Sequence, residues 1–490
     1  MGVAKKSEKL ARPDGADHFR LWRDTKRTAV LGLASSGKSV FLTSVIDRLN
    51  RSHGKTTSSF FGKSTWHFDR LPPYEADGGF PVNYYREHCL ANQLWPDKTV
   101  ATSQYRYRFY RTAAGLRRRI DNQYAEERTF IDLPGERLAD FAMAGRSYAE
   151  WSDALFGEIE GKRHYFAFAQ DYLELMNTGA SGGLDEQDVL TAYKKVLARF
   201  TRRLVPLVTP STFLVHEKGL YPKKIDPPAN ELEVEQLVQR GVCGLDEASE
   251  FAPLSAIARQ ANRELAERFE QRFNAYRVKL AEPVAAGFYA CEHLLILVDV
   301  AAILEGSPAL YHSTRRSLQK VFEYLDPGRS GNQLLVDLAR HLISGGREGV
   351  SKVNKIGLIA TKADCVHRLD RPNLLALLKH MTKDLLVDAL RQRWLNVEYF
   401  YCAAIRATED DEYPYLSGWL LVDPHDPDSA EYRKFAVSSL PSSWPAESRW
   451  EQTEYTFAQP LPPKLDLLGE KPFPSIGMDE VMRFIGWGGV

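Results

Sequence analysis

Residues Gly32-Leu33-Ala34-Ser35-Ser36-Gly37-Lys38-Ser39 spell a complete G-x-x-x-x-G-K-[ST] loop, and this loop constrains the chain on both its sides. The apolar run Thr28-Ala29-Val30-Leu31 leads into it as a strand, and Val40-Phe41-Leu42-Thr43-Ser44-Val45-Ile46 leaves it with helical spacing. Gly32 and Gly37 let the backbone curl so that its N–H groups point inward at a helix N-terminus, a nest for phosphate oxygens. The cradle would draw on Ala34, Ser35, Ser36, Gly37, Lys38, Ser39 and Val40. Lys38 adds a point charge for the outer phosphates, and the Ser39 hydroxyl suits a hard cation such as Mg²⁺. The competing reading is an ordinary strand–turn–helix. The strand–loop–helix context favours a site for a nucleoside triphosphate with Mg²⁺.

At 490 residues the chain exceeds one core and should form two or three units. Lysine plus arginine number 64, as do aspartate plus glutamate, so the net charge is zero and no global footprint for nucleic acid exists. Cys89, Cys243, Cys291, Cys365 and Cys402 lie far apart with no zinc spacing, which reads as buried, reduced thiols of a cytoplasmic protein. No apolar segment follows the lysines of Met1–Ser7, so no secretory signal is expected. The longest apolar run, Leu294 to Leu304, is too short to span a bilayer and contains Asp299. Peripheral attachment to the inner membrane stays open.

A phosphate loop needs a second, acidic loop from a neighbouring strand. Thr129-Phe130-Ile131-Asp132-Leu133-Pro134-Gly135 supplies it: Asp132 can hold Mg²⁺ through a water, and the Gly135 N–H can meet a γ-phosphate. Further on, Lys355-Ile356-Gly357-Leu358-Ile359-Ala360 reads as a buried strand followed by Thr361-Lys362-Ala363-Asp364. The Asp364 carboxylate can accept from the N1–H and exocyclic amine of guanine, a donor pair adenine lacks, while the Lys362 stem lies over the base. The alternative is a strand-to-helix turn with Asp364 as N-cap. After a strand at Val397–Cys402, the small residues of Ala403-Ala404-Ile405 would let backbone N–H groups approach the guanine oxygen. A threonine closing on Mg²⁺ must lie between residues 50 and 128; Thr99 is the first candidate and Thr102 the second. Residues Tyr105–Tyr110 alternate with period two and read as an antiparallel edge strand.

These four motifs, in this order, resemble the GTPase branch of the P-loop NTPases. The spellings Gly-Leu-Ala-Ser-Ser-Gly-Lys-Ser, Asp-Leu-Pro-Gly-Glu and Thr-Lys-Ala-Asp, with Trp95-Pro96 and Ile476-Gly477-Met478-Asp479-Glu480-Val481, are similar to the bacterial YcjX-like family. The resemblance covers nearly the whole chain. It implies GTP and GDP as ligands, a GTPase core with extra helices, and a stress-linked role alongside envelope-stress components, the protein partner being undefined.

Two departures from the common GTPase pattern bear on chemistry. Thr361 stands where Asn is usual, and it remains able to tie neighbouring loops together. Glu136 stands where many GTPases place a water-orienting Gln; a carboxylate can accept the water's proton but is repelled by the γ-phosphate, which implies slow hydrolysis or another group. Glu136, Thr99 and Lys38 are therefore the candidate catalytic groups, and Ser39, Thr99 and Asp132 the candidate metal ligands. Arg137 and Arg146 are candidate charge stabilisers, or else solvated arginines of a switch helix.

The organisation expected is an α/β chain: a P-loop NTPase core of GTPase type with a mostly parallel sheet, spanning 20–145 and 290–410, with a switch insertion at 51–104. A large helical insertion occupies 146–289, and 411–490 forms an extension packed on the core. Within the insertion, one helical stretch runs from Tyr148 to Met176 with Trp151, Leu155, Ile159, Phe166 and Leu173 as an apolar series. A second runs from Leu184 to about Arg203, with an acidic start at Asp185, Glu186 and Asp188. A third spans Leu254 to Leu280, with Ile257, Leu265, Phe269 and Phe273 on one face. A short helix near 229–240 is expected between the last two. Two functions fit: a hydrolysing GTP switch, or a GTP-dependent binding and assembly module with negligible turnover. ATP is the runner-up nucleotide.

Overall fold

The structure is a computed structural model, and it describes residues 24–32, 36–52, 56–59, 62–72, 78–96, 103–113, 124–134, 143, 146–160, 163–202, 232, 234–235, 238, 249–278, 288, 291–306, 308–325, 353–387, 395–422, 429–467 and 471–486. Strand β1 (Asp24–Gly32) is flanked by β6 (Tyr124–Pro134) on one side and β7 (His293–Val298) on the other, both parallel to it. Beyond β7, strands β8 (Lys355–Ala360) and β9 (Asn396–Tyr401) continue the parallel pairing. Gly32 pairs with Pro134 and with Leu297, Val298 pairs with Ala360, and Ala360 with Tyr401. The carboxyl ends of all five strands thus share one edge, where α/β sheets bind ligands. The chain is α/β with a mostly parallel central sheet, compatible with a P-loop NTPase.

Such a sheet must be covered on both faces, because its strands bury both sets of side chains. All six residues of β7 are buried. Leu294, Ile296 and Val298 join one apolar cluster, and Leu295 and Leu297 the other, as strand alternation requires. Helix α1 (Lys38–Ser52) covers the second face through Phe41, Leu42, Val45, Ile46 and Leu49.

On the far side of β6 the sheet turns antiparallel. Strand β5 (Ser103–Ala113) pairs with β6, β3 (Gly62–Leu71) with β5, and β2 (Thr56–Ser59) with β3; the two-residue β4 (Gly78–Gly79) runs beside the start of β5. The expectation for residues 105–110 is corrected in one respect: β5 is antiparallel but not an edge. Its outer side is taken by β3, which the insertion at 51–104 contributes.

The insertion's helices are α2 (Tyr148–Glu160), α3 (Arg163–Thr178), α4 (Glu186–Arg202), α5 (Ala256–Ala261) and α6 (Arg263–Tyr276). Trp151, Leu155, Ile159 and Leu173 are buried; the Phe166 side chain lies outside the described residues. Trp151 packs its ring against Phe251 at 5.6 Å and Phe273 at 5.3 Å between centroids. Asp185 starts α4 by accepting from the N–H groups of Gln187 and Asp188, an N-cap. The single third helix expected over 254–280 is instead two. Asn262 breaks it, its side chain donating to the Gly179 and Ala258 carbonyls and accepting from the Leu184 N–H. That break leaves Ile257 64% exposed while Leu265, Phe269 and Phe273 are buried, so Ile257 does not share their face. Of the helix expected near 229–240, only residues 232, 234, 235 and 238 are described, each helical.

Helices α7 (Val300–Gly306), α8 (Pro308–Leu325) and α9 (Arg371–Thr382) accompany the later parallel strands. The C-terminal stretch brings a three-stranded antiparallel sheet that sequence patterning did not reveal: β10 (Thr408–Asp410), β11 (Tyr415–Leu421) and β12 (Ala430–Ala436). After it, Trp450, in α10 (Glu447–Gln452), donates to the Leu304 carbonyl, and Trp444 donates to that of Leu377. Helix α11 (Met478–Phe484) returns beneath the sheet, where Arg128 donates to the carbonyls of Ile485 and Gly486. Among the described residues, no helix is long and apolar enough to cross a membrane.

Trp151 is fully buried in an aromatic cluster that cannot collapse around a lost indole. Trp151→Ala is expected to destabilise the chain by about 3–5 kcal/mol, read as an earlier urea transition in the near-ultraviolet circular dichroism of the aromatic residues.

Candidate functional site

The loop between β1 and α1 opens the shared carboxyl edge of the sheet. Gly32 and Gly37 serve it for different reasons. A Cβ on Gly32 would meet the Ser36 Oγ at 2.4 Å and the Lys38 Cβ at 2.9 Å, so the position is glycine for space. Gly37 has φ +78° and nothing within 4 Å of its virtual Cβ, so it is glycine for conformation. Leu33, Ala34 and Ser35 lie outside the described residues. Helix α1 starts at once, with the Phe41 N–H donating to the Gly37 carbonyl at 2.9 Å. The Thr43 hydroxyl donates to the Ser39 carbonyl at 2.7 Å, and Val40 packs partly buried beside Ile405 and Phe473.

Parallel pairing of β1 and β6 brings Lys38 to Asp132. The Lys38 ammonium lies 2.9 Å from Asp132 Oδ1 and donates to the Leu133 carbonyl at 2.9 Å. Both side chains are nearly buried, at 10% and 1% exposure, and the Ser39 side chain is buried beside Lys38 in sequence. Ser103, directly opposite Asp132 in the β5–β6 register, holds its Oγ 3.5 Å from Asp132 Oδ2. The buried Ser36 hydroxyl finds no hydrogen-bond partner among the described residues. A buried polar atom of that kind costs free energy until it is paired. The residues present therefore fit an anion with a hard cation. Ser39 and Asp132 offer oxygen donors, and no cluster of three or more His, Cys, Asp or Glu exists among the described residues. That is a donor set for Mg²⁺, which keeps its waters and takes oxygens from a phosphate rather than from an all-protein cage.

Thr99, Thr102, Gly135, Glu136 and Arg137 lie outside the described residues. Arg146 is described: its N–H donates to the Met143 carbonyl, and its buried Nη1 has no hydrogen-bond partner among the described residues.

At the other end of the edge, β8 stops at Ala360 and Thr361 donates its N–H to the Val298 carbonyl. Lys362 then takes a left-handed backbone, φ +54°, and Ala363–Cys365 form one tight turn. The turn places the Asp364 carboxylate inside the protein, where Oδ2 accepts from the Ala407 N–H at 2.8 Å. The Thr408 hydroxyl donates to the Asp364 carbonyl, and Arg371 donates to the carbonyls of Ala363 and Val366. Arg371 in turn makes a two-pronged ion pair with Asp410, 2.7 and 2.9 Å. Burial raises the Asp364 pKa above the ordinary carboxylate value, the Ala407 N–H opposing it. Asp364 is not an N-cap: α9 starts seven residues later, at Arg371.

Lys362 reaches back across the strand ends to Asp299, 2.7 Å between Nζ and Oδ2. Burial works against its charge, yet the Asp299 carboxylate outweighs that and lifts the lysine's pKa. The Thr361 hydroxyl is buried without a hydrogen-bond partner among the described residues. The Ala403 N–H donates to the Ile476 carbonyl at 2.9 Å, which removes that amide from those available to a ligand. The expectation at 403–405 narrows to Ala404 and Ile405, and Ser44 of α1 holds the Ala404 carbonyl at 2.7 Å. Cys89, Cys291, Cys365 and Cys402 are buried free thiols; Cys243 lies outside the described residues.

Sequence reasoning missed Asp299, Ser103, Ala407 and the Arg371–Asp410 pair. Asp299 carried a legible signal, an acid closing an apolar strand just before a helix. The others became visible only through pairing partners distant in sequence.

Comparison with known proteins identifies the family. The model of the YcjX-like family, DUF463, matches residues 27–222 and 245–486. A protein of Escherichia coli (strain K12) named Ras-like GTPase YcjX is 24% identical over 491 residues, covering 94% of each chain. The protein of the same name from Shewanella oneidensis is 22% identical over 488 residues, covering 94% of this chain and 92% of its own.

The two loop glycines give contrasting tests. Gly37→Ala forces a left-handed alanine and is expected to weaken Mg²⁺–triphosphate binding about tenfold. Gly32→Ala has to displace Ser36 and Lys38 and is expected to produce the larger loss, both read by calorimetric titration.

Proposed function

The chain belongs to the YcjX-like family, and from that premise we propose that it is a P-loop NTPase of the GTPase branch that binds GTP and GDP with Mg²⁺ and hydrolyses GTP slowly as a nucleotide-dependent switch. The observation that carries the proposal is the placement of two dissimilar chemistries on one sheet edge. Lys38 opens α1 after the loop that follows β1, Asp132 lies near the end of β6, and Asp364 stands just past β8. The first pair suits phosphate and Mg²⁺; the second offers a carboxylate to a base that carries two adjacent N–H donors.

In this reading Lys38 leaves Asp132 for the β- and γ-phosphates, and the Ser36 hydroxyl and loop amides receive phosphate oxygens. Asp132 and Ser39 would hold Mg²⁺, which when bound would neutralise charge developing on the transferred phosphoryl group. Thr99 or Thr102 would supply a further oxygen to the metal, and the Gly135 N–H would meet the γ-phosphate. Asp364 and Lys362 select guanine, with the amides of Ala404 and Ile405 near its oxygen. Glu136, in the place of a water-orienting Gln, makes intrinsic turnover slow. The helical insertion at 146–289 follows directly on the acidic loop and is the element the switch re-poses. A role beside envelope-stress components, at the cytoplasmic side of the inner membrane, rests on the family resemblance.

The second reading is a GTP-dependent assembly module without turnover, favoured by the carboxylate at 136. Phosphate release from GTP, followed alone and with envelope-stress proteins, separates the two: release under any condition supports hydrolysis, and none under every condition leaves only assembly. Lys38→Ala is expected to abolish triphosphate binding. Asp364→Asn is expected to weaken GTP and admit xanthosine triphosphate, whose base presents an acceptor where guanine presents a donor. An unchanged preference for GTP over ATP in that variant would overturn the base assignment.

A further inference from the structure

We infer that Asp299 is the positioning residue for Lys362, fixing the lysine stem along the base end of the cleft so that the purine meets a preformed wall. The inference rests on the guanine reading above and deepens it. Lys362 has four rotatable side-chain bonds and follows a buried strand, so its stem would ordinarily sample many rotamers at a cost of up to about 2 kcal/mol on ordering. Three features remove that freedom beforehand. Its backbone is left-handed at φ +54°, which sets the direction in which the side chain leaves the strand end. Its ammonium is clamped 2.7 Å from Asp299 Oδ2. Asp299 itself cannot swing, because Oδ1 accepts the Ala302 N–H at 3.0 Å as α7 begins, and its side chain is only 8% exposed.

The position of Asp299 explains why the clamp matters. It follows Val298, whose carbonyl receives the Thr361 N–H, so β7 and β8 are stitched together at this level. On its other side β7 pairs with β1 up to Gly32, the first residue of the phosphate loop. A lysine stem running from the β8 end to the β7 end therefore lies between the phosphate loop and Asp364. Asp364 also attracts the Lys362 ammonium through space, but the ion pair within hydrogen-bond distance is the one to Asp299, so loss of that carboxylate loosens the stem. The pair is nearly buried on the Asp299 side and partly exposed at the lysine, so part of the lysine side chain stays accessible while its ammonium is held.

The test is a set of full-length variants titrated with GDP and Mg²⁺ by calorimetry. Asp299→Asn keeps an oxygen able to cap Ala302 and removes the negative charge that holds Lys362. Lys362→Met keeps the stem and removes the anchor, and Lys362→Arg keeps both. Asp299→Asn and Lys362→Met are each expected to raise the GDP Kd about tenfold, and the double variant is expected to go no further, since both cut the same link. Lys362→Arg is expected to retain wild-type affinity. A merely structural Asp299 would give additive losses in the double variant, and that result, or a wild-type Kd in Lys362→Met, overturns the inference. The Lys362 variants keep Asp299 intact and decide the matter even where Asp299→Asn does not fold. Failure of the wild-type chain to bind GDP would instead overturn the guanine reading itself.

Discussion

The Lys38–Asp132 contact is where the two halves of the cleft are locked in register. An ammonium at the start of α1 and a carboxylate near the end of β6, both almost without solvent, sit 2.9 Å apart. Such a pair is poor evidence for net stability, because desolvation consumes much of the Coulombic gain. Removing one partner alone, however, leaves an uncompensated buried charge, so whatever draws Lys38 away must compensate Asp132. The pair ties the start of α1 to the end region of β6, at a level that the parallel β1–β6 ladder sets.

The rest of the sheet converts that alignment into a cleft by simple rules. Parallel pairing from β6 through β1, β7 and β8 to β9 puts five carboxyl ends side by side, and a short turn follows most of them. Buried side chains on both faces leave polar residues toward the strand ends and the turns beyond them, Lys38, Asp132 and Asp364 at the carboxyl edge and Thr28, His293 and Glu126 toward the other. Each turn is then secured from outside the sheet. Asp364 is held by Ala407 and Thr408, Arg371 by Asp410, and the Ala403 bridge by Ile476. The extension after residue 408 is accordingly part of the architecture of the base-side loop. Gly477 shows how tight this is: a Cβ there would stand 2.1 Å from the Tyr401 carbonyl, at the very end of β9.

Legibility in the sequence followed the range of the physics involved. The loop at 32–39 could be read because glycine space, glycine conformation and a lysine charge are local requirements written within eight residues. The buried strand at 355–360 could be read because an unbroken apolar run of that length has few other uses. Long-range pairing could not be read. Nothing in Tyr105–Tyr110 announces that β3 will cover its outer side. Asn262 reads as one more polar helix residue until its side chain is seen tying Gly179, Leu184 and Ala258 together. The three-stranded sheet after Thr408 was hidden for a related reason. Strand β10 has only three residues, and β12 is exposed at most positions, so the period-two signal is weak.

Asp299 marks the border between the two regimes. As a sequence feature it interrupts an apolar run, and by that fact alone it argues against a membrane span. In the folded chain the same carboxylate does two local jobs, capping α7 and gripping Lys362. One of these is a helix-start function that any Asp could serve. The other exists only because β8 lies beside β7 and because Lys362 turns left-handed at its end. The acid is thus predictable as a cap and unpredictable as the partner of Lys362, because the first role is written within three residues and the second needs two strands that meet only in the folded chain.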